Sequence, residues 1–416
     1  MEKMNITNQE HDAFVKSHPN GDLLQLTQWA ETKKLTGWYS KRVAVGENGE
    51  IKGVAQLLFK KVPKLPYTLC YVSRGFVADY NDKAVLEALL KYTKKVARQE
   101  RAYAIKIDPD VEVDKAGDTL TNLRQLGFVH KGFKEGLSKD YIQPRMTMIT
   151  PIDQTDEELI KSFERRNRSK VRLALKRGTK VERAGRDQLP IFADLMRITG
   201  ERDGFLTRDI SYFQNVYDAL HPDGDAELFL VKLEPEPVLK EITGENKEVE
   251  AEIEKLKQKK QDKKTLNKIK DAEAKIARNQ KLIAQMEELR NQHPEGVYLS
   301  GALLMFCGKK SYYLYGASSN DYRDFLPNHH MQFEMMRYAR EKGATTYDFG
   351  GTDNDPDKDS EHYGLWAFKK TWGTYLSEKV GEFDYVLNKP LYYIVEQVKP
   401  RLTKAKIKAS RKLKGK

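Results

Sequence analysis

The sequence predicts a mixed α/β protein of two globular units, the second interrupted by an antiparallel coiled-coil helical hairpin. Three observations carry this reading. The chain has 416 residues, and single hydrophobic cores stop growing near ~250–300 residues. Strand-like and helix-like segments alternate on both sides of a central stretch, which argues for α/β units. That central stretch, residues 237–294, has no internal proline and no aromatic residue and is rich in Lys, Glu, Ala and Gln. The units are placed at residues 1–145, completed by 385–416, and at 146–236 together with 296–384; the hairpin is placed at 237–295.

Taken in order, residues 42–45 and 51–59 flank Glu47-Asn48-Gly49-Glu50. Asn-Gly between two apolar runs predicts a β-hairpin. Residues 84–101 carry Val85, Leu86, Leu89, Leu90, Tyr92 and Val96 at helical spacing, and 102–107 follow as a strand ending at Asp108-Pro109-Asp110. A second unit begins near Met146 and includes a strand at 226–233. In the central stretch Ile242, Val249 and Leu256 recur every seven residues, with Ile253 between them. Ile269, Ile276 and Ile283 resume the repeat, with Ala272, Asn279 and Met286 in the partner position. Such a seam predicts two helices packed as a coiled coil. Globular patterning returns with strands at 297–306 and 310–315, a helix at 328–342 and a strand at 345–349 that runs into Gly350-Gly351.

Composition prunes the functional classes. Lys and Arg number 73 against 61 Asp and Glu, a formal charge of +12, which suits an anionic partner. The two cysteines, Cys70 and Cys307, each lie in an apolar run, so a disulfide framework is not expected and a reducing cytosol fits. No apolar run reaches the ~18 residues of a spanning helix, and the N-terminal MEKMNITNQEHDAF lacks the apolar core of a signal peptide. Residues 255–270 carry eight lysines; a solvated face is the plain reading of that run, an RNA-facing arm the functional one. Residues 399–416 hold nine Lys/Arg and no acid, a tail suited to an anionic membrane surface or to RNA phosphate, with a solubilising end as the plain reading.

The sequence contains no G-x-x-x-x-G-K-[ST] loop, no H-E-x-x-H and no G-x-S-x-G elbow, so Walker-type, zincin and hydrolase-elbow chemistry are not expected. His329-His330 is read as one core and one surface residue, because neighbours on a helix point apart. What remains is aromatic and basic. Trp29 and Lys33 are four apart in an early helix, and Arg208 and Tyr212 four apart in FLTRDISYF, spacings that share a helix face. Gly364 and Gly373 bracket a segment carrying Phe368, Lys369 and Lys370. The functional reading of these residues is a large polar, phosphate-bearing ligand in a cleft; the plain reading of the tyrosines, as core or strand-face residues, stands equally beside it.

The motifs DFGGTDNDPDKDSEHYGLWAFKKTWG, FLTRDISYF, YYLYGASSNDYRDFLPNHHMQ and ERRNRSKVRLALKRG together resemble the Fem family of peptidoglycan peptidyl-transferases, over essentially the whole chain. The resemblance implies two GNAT-like α/β domains, usually with a helical hairpin. It implies transfer of the first bridge glycine from glycyl-tRNA, a co-substrate, to the lysine ε-amine of the lipid II stem peptide. No other cofactor is implied. Lys33, Arg208, Tyr212 and Tyr315 match positions that hold the phosphate-bearing precursor; Tyr313 lies one strand repeat from Tyr315. Phe368 and Lys369 match the reaction centre. Lys369 would stabilise the oxyanion or a terminal tRNA phosphate, and the Phe368 carbonyl would receive the amine's proton. Asp108 matches an acid that would orient the acceptor cation. The implied setting is cytoplasmic, at the inner membrane face, with contacts to other Fem transferases.

Rival readings are a transferase adding a later bridge residue, or alanine or serine; an acetyl-CoA-dependent N-acetyltransferase; and a non-catalytic RNA-binding protein. The R/Q-x-x-G-x-G/A loop that would cradle a coenzyme pyrophosphate is missing, since the basic stretch 165–180 lacks those glycines.

Overall fold

The computed structural model describes residues 1–133, 137 and 142–398. The basic segment 399–416 lies outside the described residues.

Asn48 and Gly49 both take positive φ, 53° and 82°, the combination a tight hairpin turn demands. The turn reverses Trp38–Glu47 onto Glu50–Lys61, the longest antiparallel pair of the first sheet. That sheet runs in the order Glu2–Met4, Trp38–Glu47, Glu50–Lys61, Thr68–Val72, Ala102–Ile107, Phe383–Val386 and Val129–His130, with Val77–Ala78 pairing alongside Glu50–Lys61. The second sheet runs Tyr375–Glu378, Met146–Pro151, Thr346–Gly351, Lys310–Ser318, Val297–Cys307, Ala226–Leu233 and Thr179–Ala184. A strand from late in the chain, Phe383–Val386, thus completes the first sheet.

Among the described residues each sheet has one parallel pair. Thr68–Val72 lies parallel to Ala102–Ile107, and Lys310–Ser318 parallel to Thr346–Gly351. Parallel neighbours need a crossover, supplied by helices Lys83–Gln99 and Pro327–Glu341. Asp82 caps the first of these, accepting from the Val85 amide at 3.1 Å. Its inward face buries Val85, Leu86, Leu89 and Leu90, each worth about 1.5–3 kcal/mol of transfer free energy.

One core cluster lies between the units. Val15, Leu23, Leu26 and Trp29 from the N-terminal helices pack with Phe192, Phe213, Val216, Leu228 and Leu303 of the second unit. Separate cores lie under each crossover helix.

The central stretch forms helices Pro235–Lys257 and Lys263–Gln292. Ile242, Val249, Ile253 and Leu256 are buried along the first helix. Ile269, Ile276 and Ile283 of the second are only half-buried, and Asn279, Met286 and Leu289 are its buried residues. Asn279 sits buried in the seam and donates to Glu245 and Asn246, both at 2.8 Å. The hairpin root is anchored by Val238, Leu239, Met286 and Leu289 against Leu233, Leu299 and Phe325.

His329 and His330 are both half-buried, not one core and one surface residue. His329 lies beside Trp372, and His330 shares a 2.8 Å hydrogen bond with Thr179, so each ring finds a neighbour in the unit's interior.

Candidate active site

A cavity of about 670 Å³ opens between the two units. His18, Asp22, Arg74 and Asp110 line it from the first unit; Lys310, Tyr312, Asp348 and Lys379 line it from the second. Its charged wall follows from topology. Asp108 and Asp110 lie just beyond the carboxyl end of Ala102–Ile107, and Asp348 lies on Thr346–Gly351. Each strand is the second member of its sheet's parallel pair, and such carboxyl ends are where open α/β sheets bind ligands.

Asp110 ties the units together. It accepts from Lys310 at 2.6 Å and Lys379 at 2.7 Å, while Lys310 also donates to the Gly21 carbonyl at 2.7 Å. Burial alone would raise the Asp110 pKa, but Lys310, Lys379 and Arg74 together hold it far below the carboxylate range. Asp22 is pushed the other way, by burial and by the Asp110 charge. It accepts from Tyr312 at 3.1 Å and from the Leu24 amide at 2.8 Å.

Asp108 sits behind this wall, buried, and Arg74 is its cover. Its oxygens accept from the Arg74 amide at 2.9 Å and the Tyr71 hydroxyl at 3.1 Å, with the guanidinium 3.9 Å away. Burial pushes its pKa up to about 7 against the pull of Arg74.

Across the cavity, Lys369 ends helix Tyr363–Lys370 and is 4 % exposed. Its Nζ donates to the Gly351 carbonyl at 2.6 Å. Between Asp348 and Gly351 the strand carries one extra residue against its partner, a bulge of the kind that re-aims groups beside functional sites. Gly350 takes φ +79° there, and its amide donates to Asp348 at 2.6 Å. Burial lowers the Lys369 pKa to about 8, with Asp348 opposing. Gly351 and Asp348 line the cavity, so the ammonium borders it through them. The Phe368 ring packs on Phe349 and Trp372, at 6.2 and 6.0 Å. Its carbonyl already accepts from the Thr371 hydroxyl at 2.7 Å and the Thr371 amide at 3.3 Å.

Lys33, Arg208, Tyr212 and Tyr315 form one cluster. Lys33 follows helix Thr27–Thr32 as its cap and lies 3.7 Å over the Trp29 ring. It reaches the Tyr212 hydroxyl at 3.5 Å, which in turn meets the Tyr315 hydroxyl at 2.8 Å. Arg208 stacks 5.1 Å above the Tyr212 ring, though not as a helical neighbour. Asp209 caps helix Ile210–Leu220 by accepting from the Tyr212 amide at 2.9 Å, which leaves Arg208 outside the helix. Burial first, and Arg208 second, lower the Lys33 pKa to about 8. Among the described residues neither Lys33 nor Arg208 has a carboxylate within salt-bridge distance. Two unpaired cations flanked by hydroxyls are complementary to an anion.

Tyr315 reaches this cluster because Lys310–Ser318 is bulged at Leu314: Tyr315 pairs Leu303 while Tyr313 pairs the next residue, Leu304. The extra residue breaks the alternation, so Tyr313 packs into the core on the opposite face. The structure thus brings four of the seven expected residues into one cluster, places Lys369 and Phe368 together at the cavity's edge, and sets Asp108 behind its wall. Arg74, Asp110, Lys310, Lys379 and Asp348 are additional cavity residues that sequence reasoning did not single out. The signal that could have found the acids was their place at or just beyond strands followed by Pro or Gly-Gly.

Known proteins resemble this chain along its whole length. The chain is 79 % identical over 416 residues, all of both chains, to a protein of Staphylococcus epidermidis named lipid II:glycine glycyltransferase. It is 75 % identical over 421 residues to the protein of that name from Staphylococcus aureus, again over the full length of both. A crystal structure titled FemX superposes with a TM-score of 0.89 at 74 % identity, covering 95 % of this chain and all of that one. The family model described as FemAB matches residues 6–400, and the chain belongs to the FemAB family.

Proposed function

We propose that this chain is a lipid II:glycine glycyltransferase that takes its glycine from glycyl-tRNA. The observation that carries the reading is the 79 % identity along the whole chain to the S. epidermidis enzyme of that name. The site is suited to the chemistry. An aminoacyl ester is already activated, so the reaction needs a positioned amine and a stabilised oxyanion. The lysine ε-amine, with a reference pKa of ~10.4, must shed a proton before it attacks. Attack forms the new C–N bond; collapse of the tetrahedral intermediate breaks the ester C–O bond and releases the ribose hydroxyl. Lys369 supplies a buried cation beside the cavity, where charge stabilisation is strongest.

Lys33 and Arg208, with Tyr212 and Tyr315, hold the diphosphate of the lipid-linked acceptor. Asp348 is better placed than the Phe368 carbonyl to attract the acceptor ammonium, because that carbonyl's two acceptor positions are taken by Thr371. Asp108 acts through Arg74, as a group that positions the cavity wall. Among the described residues no helix is long and apolar enough to cross a membrane; the enzyme meets its acceptor from the membrane surface, with the basic segment 399–416 as attachment. The test uses labelled glycyl-tRNA and labelled acetyl-CoA as alternative donors with lipid II in detergent micelles. Label transferred from glycyl-tRNA alone supports the reading; label from acetyl-CoA alone sinks it.

A further inference from the structure

Helix Arg165–Ala174 buries Asn167, Val171 and Ala174. On the opposite side Arg165, Arg168, Arg172 and, just beyond the helix, Lys176 follow one another at spacings of three and four, so they form one stripe. No acid occurs from 165 to 180. Several other surface arginines of the second unit are paired with acids: Arg186 with Asp218, Arg197 with Asp194 and Glu201, Arg340 with Asp156. Arg165, Arg166, Arg168, Lys170, Arg172 and Lys176 have no such partner among the described residues. The Arg168 Nε is, in addition, shielded from solvent without a hydrogen-bond partner. Burying a donor unpaired costs free energy that an incoming acceptor would recover.

The location of the stripe is as informative as its charge. The Glu164 amide, at the cap of this helix, donates to the Thr371 carbonyl at 3.0 Å. The Phe163 and Trp372 rings meet edge-on at 5.1 Å, and burial first, with the nearby Lys170 charge second, disfavours protonation of His329, itself beside Trp372. The cationic helix is therefore bolted to the turn that follows Lys369. Lys370, beside Lys369 at the start of that turn, is exposed as well.

We infer that helix Arg165–Ala174 and Lys176 are the surface on which the phosphodiester backbone of the donor tRNA lies while its esterified 3′ end reaches Lys369. The inference rests on the glycyl-tRNA reading above. Arginine forks suit phosphate oxygens, and phosphate contacts position a nucleic acid without reading its sequence. An anionic bilayer is the weaker fit. Leu173 and Leu175 are the helix's exposed apolar residues, and two positions apart they project to opposite flanks of the stripe, which leaves no single apolar face to enter lipid.

The test compares the full chain with its Arg165→Gln/Arg172→Gln variant; both sites are exposed, and unchanged melting confirms the fold. KM for glycyl-tRNA should rise about tenfold at physiological salt while KM for lipid II holds. The log–log salt dependence of tRNA binding should become shallower by about 1.4–1.8, two phosphates' worth. Arg186→Gln, removing a paired arginine of the same unit, should change neither. Wild-type values of KM and salt slope in the double variant would overturn the inference, as would weakened binding to phosphatidylglycerol vesicles with KM for tRNA unmoved. Should the wild-type chain transfer no glycine, the activity reading fails by itself; mobility shift with deacylated tRNA then decides the surface, a reduced slope upholding RNA binding and an equal slope refuting it.

Discussion

Burial holds the Lys369 ammonium at a pKa of about 8, below its ordinary 10.5, and that displacement has separate consequences for stability and for turnover. The unfolded chain keeps the proton between those two values and the folded chain loses it, so the unfolded state binds more protons in that window. Stability therefore rises with pH there, and the cost of the buried charge is fully present below about pH 8. Lys369→Met removes the cost, so its melting temperature should equal or exceed that of the wild type at pH 7, with the difference closing toward pH 10. Turnover should fall roughly 10²–10³-fold, the usual loss when one preorganised stabiliser of an oxyanion is removed. Near-normal kcat in a folded variant would take Lys369 out of the mechanism. Lys33 sits at a similar pKa of about 8, lowered by burial and then by Arg208. A bound diphosphate would favour its charged form, so binding at pH 8 should draw in about half a proton and binding at pH 6 almost none. Calorimetry in buffers of different ionisation enthalpy reads that uptake; its absence at pH 8 would remove Lys33 from the diphosphate site.

Helix Tyr363–Lys370 is eight residues long, too short to hold Lys369 in place by itself. Its anchor is Trp372, fully buried among Phe163, Phe349, Phe368 and His329. Trp372→Ala should cost about 3–5 kcal/mol in urea unfolding; a loss below 1 kcal/mol would mean the helix is anchored elsewhere. Elements of this kind differ in how far the sequence discloses them. The Asn-Gly hairpin, the crossover helix Lys83–Gln99 and the coiled-coil hairpin are written as local periodicities. The bulge at Leu314 is not, since alternation along 310–318 puts Tyr313 and Tyr315 on one face and a single extra residue separates them. The four-residue spacing likewise suggests that Arg208 and Tyr212 share a helix face, whereas the Asp209 cap starts the helix two residues after Arg208.

At the scale of the whole molecule, the cavity exists because Asp110 of the first unit is held by Lys310 and Lys379 of the second. Asp110→Ala strands two buried ammonium groups and should destabilise by about 3–5 kcal/mol. Adding Lys310→Met should return part of that loss; equal stability of single and double variants would deny the network its role. Asp110 lies 200 or more positions from both lysines and shares no local pattern with them, so the residue resemblance named the four clustered side chains and the Phe368-Lys369 pair but not the charged wall between the units. Only the two crossovers, which bring Asp110 and Asp348 to one cleft with Asp108 behind its wall, assemble it. The account's central claim is that this cleft joins one glycine to the acceptor lysine. Tandem mass spectrometry of lipid II after incubation with the chain and glycyl-tRNA tests it most directly. The account predicts a gain of one glycyl residue, on the lysine ε-nitrogen, with no second addition when the monoglycyl product is offered again. An unmodified acceptor, glycine at any other atom, or extension only of an acceptor already carrying glycine would contradict it.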